Sequence, residues 1–510
     1  MIFIDFFTRF CVRLSFYGWL IFLLLLVAVG FYPFFVMHGV DVMLLAMRSA
    51  GFSSAVVYSF QVAVAAFVIS FILAFLFTMT ISQKKWAIIF ANGCCFFWLA
   101  VPPLSLLAGM DIFYGMVSNF FPNPNGIHHI LALVQKEVPF LLLVMLNART
   151  TISKNYRHHA ISLGFDGVAK FFKIEFPLIW PKVKWPCALI LLFAFNNVEM
   201  GIFLGPSAPP SFPILLLNSL QTQATLEDDV IHGFACWLLL MNISLLVIFL
   251  LVEWLIKQTK VFWLRVKITT RSFYPLYYIG FGGFMLHGFL LLLTVAVAVV
   301  ATLAIGRGLG SGLIYGMVNS LWLGMIASVS AVFVFLWWRF YRIISGWQKY
   351  ILLLPIFLPD IILAFHGQLL AFFLGGQWLL LLFLIHGGIG MALAMLMLDG
   401  AYDKIPHDMI RHAKSLGLKP MVIFWRVVVP LLWRPMLFAI ALCFAVSISL
   451  YIPNLILARG FDTMTTLLVA YQFSGDDGLV AVVSLWLLLL PMLGYGIAYY
   501  LSGFYDRKFG

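Results

Sequence analysis

Seven ionisable residues fall inside otherwise apolar stretches of the chain: Lys136, Glu137, Glu199, Asp360, His287, His366 and His386. A charge at mid-bilayer costs about 2.5–3.5 kcal/mol on insertion scales, so such residues line pathways, relay protons or pair with one another. Lys136 and Glu137 are adjacent, and neighbouring helical positions diverge by about 100°, so they do not simply pair with each other. Glu199 lies toward the outer end of its apolar stretch, beside Asn196 and Asn197, where it can face a polar pathway; the bland alternatives are interhelical hydrogen bonding and snorkelling. The three histidines show no repeated pairing of the kind haem ligation needs. The six cysteines, Cys11, Cys94, Cys95, Cys187, Cys236 and Cys443, lack metal or redox spacing and read as small core residues. No catalytic constellation and no metal site emerges, and no G-x-x-x-x-G-K-[ST] phosphate loop is present. The glycines Gly306, Gly308, Gly310 and Gly312 lack the lysine of such a loop and read as a turn.

A stronger signal is repetition. His159-Ala160-Ile161-Ser162-Leu163-Gly164 returns as His412-Ala413-Lys414-Ser415-Leu416-Gly417, an offset of 253 residues, with five of six positions identical. The register continues through Phe171 and Phe424, Pro177 and Pro430, Leu178 and Leu431, Trp180 and Trp433, and upstream through Pro102 and Pro355. In each copy three apolar residues fall at i, i+4, i+7: Tyr156, Ala160 and Leu163, then Met409, Ala413 and Leu416. That spacing predicts a short amphipathic helix, and Gly164 or Gly417 ends it as a C′ glycine. A basic helix of this kind can lie on anionic lipid. Two copies, each followed by a second amphipathic run and a Pro at the same spacing, point instead to a paired protein partner.

The elements that carry these residues must be membrane helices. Of 510 residues 64% are hydrophobic and 10% charged, against about 45–50% and about 25% in soluble domains, and mean hydropathy is +1.06. Soluble enzymes and disordered chains are excluded. Runs such as Leu23–Val29 are apolar on every face, unlike the alternating strands of a barrel. At about 20 residues per span, helices are expected near 17–37, 55–80, 86–109, 127–148, 186–204 and 233–256, and again near 281–305, 312–338, 349–373, 378–398, 436–456 and 477–503. The first is too long for a signal peptide and has no cleavage site, so it reads as a retained helix. With the N-terminus in the cytoplasm, 27 of the 31 Lys and Arg fall inside, which fixes orientation and an even helix count and places both termini in the cytoplasm. The same bias accounts for the net charge of +12 without nucleic acid.

The expected fold is an all-α polytopic membrane protein of about twelve transmembrane helices. A first domain spans 1–256, a basic linker 257–275 and a second domain 276–510. Two six-helix halves in the same orientation imply a pseudo-twofold axis along the membrane normal.

The duplicated loop resembles the cytoplasmic Glu-Ala-Ala-x3-Gly-x9-Ile-x-Leu-Pro signature of permease subunits of binding-protein-dependent ABC importers. Here the copies read His158-His159-Ala160-x3-Gly164-x9-Ile174-Glu175-Phe176-Pro177 and Arg411-His412-Ala413-x3-Gly417-x9-Val427-Val428-Val429-Pro430. His158 and Arg411 replace the usual Glu, and His159 and His412 the first Ala. Fusion of two halves in one chain is similar to the subgroup that includes ferric-iron and thiamine importers. The resemblance implies a multi-pass bacterial inner-membrane permease that is not itself an enzyme and moves a small solute by alternating access. It implies two ABC ATPase subunits docked on the repeated loops, which would hold the ATP and Mg2+ that this chain lacks, and a periplasmic or extracytoplasmic solute-binding protein. The rival reading is an ion-coupled secondary transporter, which predicts carboxylates at equivalent depths in both halves; Glu137 and Glu199 instead meet Gly390 and Ile452 at the 253 offset.

Overall fold

The computed structural model describes residues 2–36, 39–81, 85–106, 109–110, 126–165, 167–222, 228–258, 289, 292–293, 295–296, 299–300, 310–344, 346, 348–458 and 460–509. Every regular element among them is helical. Eight helices are long and apolar enough to cross a membrane, or up to ten when each of two bent pairs counts as one span. The fold is therefore an all-α polytopic membrane protein. Most of the expected span 281–305 and most of the 257–275 linker lie outside the described residues, and the expected span 86–109 appears as the shorter helix Lys85–Ala100.

The same order of elements runs through both halves. Phe52–Thr80 and Ser311–Phe340 are followed by Ile127–Thr150 and Trp378–Tyr402, then by the short helices Lys154–Ser162 and His407–Ser415. Next come π-helical turns at Phe171–Glu175 and Phe424–Val428, and the helices Phe176–Asn196 and Trp433–Ser449. Two further short helices follow in each half, Glu199–Leu204 with Phe212–Gln221 and Ile452–Leu457 with Met464–Phe473, before the closing helices Asp228–Gln258 and Asp477–Phe509. Asp229 and the pair Asp476-Asp477 stand at the starts of those last helices, where a carboxylate meets the positive end of the helix dipole. Asp476 Oδ1 accepts the Leu479 N–H at 3.1 Å.

The expected spans 186–204 and 436–456 are not continuous. Each breaks after a full helix, at Asn197–Val198 and Leu450–Tyr451, and a short helix follows. In lipid a freed backbone group needs a local partner. Asn197 Oδ1 takes the Met200 N–H at 2.9 Å, and the Leu450 carbonyl accepts from Asn454 Nδ2 at 2.5 Å and Thr465 Oγ1 at 3.1 Å. The expected span 349–373 likewise divides into Gln348–Phe357 and Asp360–Phe373, bent by 99°.

Close helix packing follows from small residues at four-residue intervals, since lipid tails leave van der Waals contact as the main force between apolar helices. Phe52–Thr80 buries Ala55, Ser59 and Ala63, then Ala66, Ser70 and Ala74, and packs on Ile127–Thr150 and Phe176–Asn196. Ser311–Phe340 buries Gly316, Ser320, Gly324 and Ser328 and packs on Trp378–Tyr402 and Trp433–Ser449.

The chain divides into two compact units: Met1–His38, Ala100–Ser105 and Thr302–Gly510, and Gly39–Leu99 with Leu106–Ala301. The helix Ile2–Val36, assigned by sequence order to the first domain, thus groups with second-half residues. Val12, Phe16, Trp19 and Leu23 are buried in one cluster with Phe335, Trp338 and Met395. Trp338 Nε1 also donates to Ser15 Oγ at 2.9 Å.

Candidate coupling loops and membrane-embedded charges

The two repeated loops fold alike. Lys154–Ser162 ends in a Schellman turn: the Gly164 N–H bonds the Ile161 carbonyl at 2.9 Å and the Phe165 N–H the Ala160 carbonyl at 3.0 Å. His407–Ser415 ends the same way, Gly417 on Lys414 at 3.0 Å and Leu418 on Ala413 at 3.3 Å. Both glycines have the positive φ this cap requires, 81° and 75°, a backbone that glycine adopts without a Cβ penalty.

The i, i+4, i+7 set does not form one buried face. Ala160 and Ala413 are buried, whereas Tyr156, Leu163, Met409 and Leu416 are 59%, 72%, 48% and 78% exposed. His158, His159, Arg411 and His412 are exposed as well. Each short helix thus turns its small alanine inward and leaves two large apolar side chains and a basic pair outside.

Beyond each loop the chain forms a π-turn that ends just before Pro177 or Pro430. The Phe176 N–H bonds the Phe171 carbonyl, and the Val429 N–H the Phe424 carbonyl, both spanning five residues. A proline has no N–H and its ring clashes with the carbonyl four residues back; the wider turn makes room for it, at a type of bulge common in functional regions. The halves then diverge. Phe171–Asn196 runs on as one span, whereas Pro420–Leu431 and Trp433–Ser449 are bent by 82°.

An ion pair that the sequence did not reveal lies beneath the first loop. Arg149, at the end of Ile127–Thr150, donates through Nε to Glu175 Oε2 at 2.6 Å, with the two side chains 7% and 1% exposed. Its guanidinium also reaches the Thr78 carbonyl at 2.5 Å and the Ile81 carbonyl at 3.4 Å, and sits 5.1 Å from the Phe171 ring centroid. Arg149 and Glu175 are 26 residues apart, and only the folded loop brings them together. Further along, buried Glu253 accepts Trp180 Nε1 at 3.1 Å and pairs with Lys257 at 2.5 Å and Lys184 at 3.7 Å. Lys182 donates to Thr151 Oγ1 at 2.7 Å. Arg149, Lys182, Lys184 and Lys257 are therefore already engaged within the protein.

The embedded charges also find partners. Lys136 and Glu137 do not pair with each other: Glu137 is buried and accepts from Ser70 Oγ at 2.8 Å, while Lys136 interacts electrostatically with Glu199. Glu199 opens the helix Glu199–Leu204, next to the mutual Asn196–Asn242 hydrogen bonds of 2.6 and 3.0 Å. Asp360 opens Asp360–Phe373, where the helix dipole favours it. His386 is held by Ser447 at 2.7 Å and Asn454 at 3.1 Å, His366 is buried, and His287 lies outside the described residues. Also unforeseen was His129, whose Nδ1 meets the Tyr58 hydroxyl at 3.1 Å.

Fold and loops together define a polytopic all-α membrane protein with two like-built, exposed basic loops at matching places in its sequence. No family model matches the chain. It is 28% identical over 416 residues, 78% of each chain, to the inner membrane ABC transporter permease protein YnjC of Escherichia coli (strain K12).

Proposed function

We propose that this chain is the transmembrane permease subunit of an ABC importer in a bacterial inner membrane. The observation that carries the reading is the duplicated loop: the same short helix, the same glycine cap, the same π-turn before proline, and two exposed apolar knobs on each copy. Similarity to an inner membrane ABC transporter permease over most of the chain supports it. Each loop docks on one ABC ATPase subunit, and approach of the two ATPases on binding ATP and Mg2+ rocks the halves between inward and outward access. ATP biases that equilibrium only through its differential affinity for the two states; moving from 1:99 to 99:1 takes about 5.5 kcal/mol. An extracytoplasmic solute-binding protein delivers a small solute, thiamine-like, iron or another, and Lys136, Glu137 and Glu199 border its route.

The test is gentle-detergent purification from native membranes with identification of co-eluting proteins, beside a Leu163→Asp, Leu416→Asp double variant. These leucines are the most exposed apolar residues of the loops, so their replacement alters the docking surface and spares the fold. An ATPase that co-elutes with wild type and is lost from the variant is the expected result. Wild type eluting without an ATPase, under conditions that preserve a known complex, sinks the reading and favours an ion-coupled secondary transporter.

A further inference from the structure

The two loops are joined to their halves in different ways. In the first half the π-turn packs on Phe52–Thr80 through rings, Phe171 and Phe172 lying 4.9 and 4.8 Å from Phe75 between centroids, and an ionic joint is added to that packing: Arg149 grips Glu175, the last residue of the π-turn, together with the Thr78 and Ile81 carbonyls at the end of Phe52–Thr80. One buried side chain thus connects the loop to two membrane helices. At the 253 offset the second half has Tyr402 and Val428, both buried, and its charges are placed elsewhere. Arg339 bonds Asp399 at 2.9 Å and also Asp403, Lys349 bonds Asp399 at 2.5 Å, and the Arg339 guanidinium lies 4.9 Å from the Tyr402 ring centroid. That network ties Ser311–Phe340 to Trp378–Tyr402 and, among the described residues, makes no ion pair with the second π-turn. The second π-turn is held by apolar packing, Phe424 lying 4.8 Å from Trp337 and 5.5 Å from Phe340 between ring centroids, just before the 82° bend.

Resting on the function proposed above, we infer that Arg149 is the positioning residue through which movement of the first loop is passed to Phe52–Thr80 and Ile127–Thr150, while the second half transmits through aromatic packing alone. A guanidinium suits this role because its planar fork holds a carboxylate and carbonyls at once in fixed directions. Slack between loop and helices is removed where a sliding apolar contact would leave it.

The test transplants the second half's solution: Arg149→Tyr with Glu175→Val, which removes both buried charges together and leaves neither unpaired. The complex with its co-purified ATPase is studied in lipid nanodiscs, in a background lacking native cysteines. One reporter cysteine stands at Ser54, exposed on the first turn of Phe52–Thr80 at the end remote from Arg149, or at Tyr315 in Ser311–Phe340. Maleimide labelling rates are compared with and without ATP and vanadate. In wild type both sites change on nucleotide trapping. In the double variant the Ser54 response is expected to shrink at least threefold while the Tyr315 response persists; a Ser54 response equal to wild type overturns the inference. Arg149→Lys, which keeps the charge and loses the fork, covers the case in which the double variant does not assemble. It is expected to lose at least half of the Ser54 response, and an undiminished response again overturns the inference. If wild type shows no nucleotide response at either site, the permease reading itself fails, and this inference with it.

Discussion

At the scale of single residues, the repeated loops assign a different task to each conserved-looking letter of the repeat. Gly164 and Gly417 are required by backbone geometry: a Cβ at either would meet no neighbour, so the whole cost of replacing them lies in the left-handed φ. Gly164→Ala is expected to destabilise its loop by about 1–2 kcal/mol, which is about a 5–30-fold population ratio. Amide hydrogen exchange across 154–162 should accelerate by that factor, and Gly417→Ala should do the same across 407–415. Ala160 and Ala413 are limited by the space around them, because both are buried. The glycine caps were legible in sequence because a cap is local. The inward turn of the alanines was not, because an i, i+4, i+7 pattern states which residues share a face and is silent on what that face meets.

Among elements, the broken helices show how the sequence signal is overridden. A window average over either stretch stays apolar and reads one span, although Asn196, Asn197 and Glu199 interrupt the first; that the helix breaks there shows in where side chains send their hydrogen bonds. Asn197 caps the helix Glu199–Leu204. Asn197→Ala should cost about 1 kcal/mol and expose amides 199–204 to roughly fivefold faster exchange, with far helices such as Trp378–Tyr402 unchanged. In the second half a capping box formed by Thr463 and Thr466 starts Met464–Phe473. Thr463→Ala should give a loss of the same size in that helix. The π-turns belong here too: the prolines were plain in sequence, yet a proline can kink, end or widen a helix, and the surrounding packing selected the third.

For the whole molecule, the helix Ile2–Val36 is the main departure from chain order. Phe16 is 3% exposed and lies 5.2 Å edge-on from Trp338, whereas Leu14, two residues away, is 60% exposed. Phe16→Ala is therefore expected to cost about 3–5 kcal/mol and to lower the melting temperature in detergent, while Leu14→Ala leaves it within error. Orientation rests on the asymmetry of basic residues: a C-terminal fluorescent-protein fusion should fluoresce and a C-terminal alkaline phosphatase fusion should stay inactive, and the reverse result would invert the proposed topology.

Composition and hydropathy by themselves determined that this is a helical membrane protein, and the 253-residue repeat predicted two like-ordered halves with a basic loop in each. Those properties are set by local chemistry: the run length a bilayer demands, the backbone that only glycine adopts freely, the spacing of one helix turn. Tertiary structure alone decided that Arg149 meets Glu175 under the first loop, that Glu137 is bonded by Ser70, and that the first helix packs with second-half residues. Each of these depends on contacts between segments far apart in sequence, chosen by shape and by the need to satisfy every buried polar group.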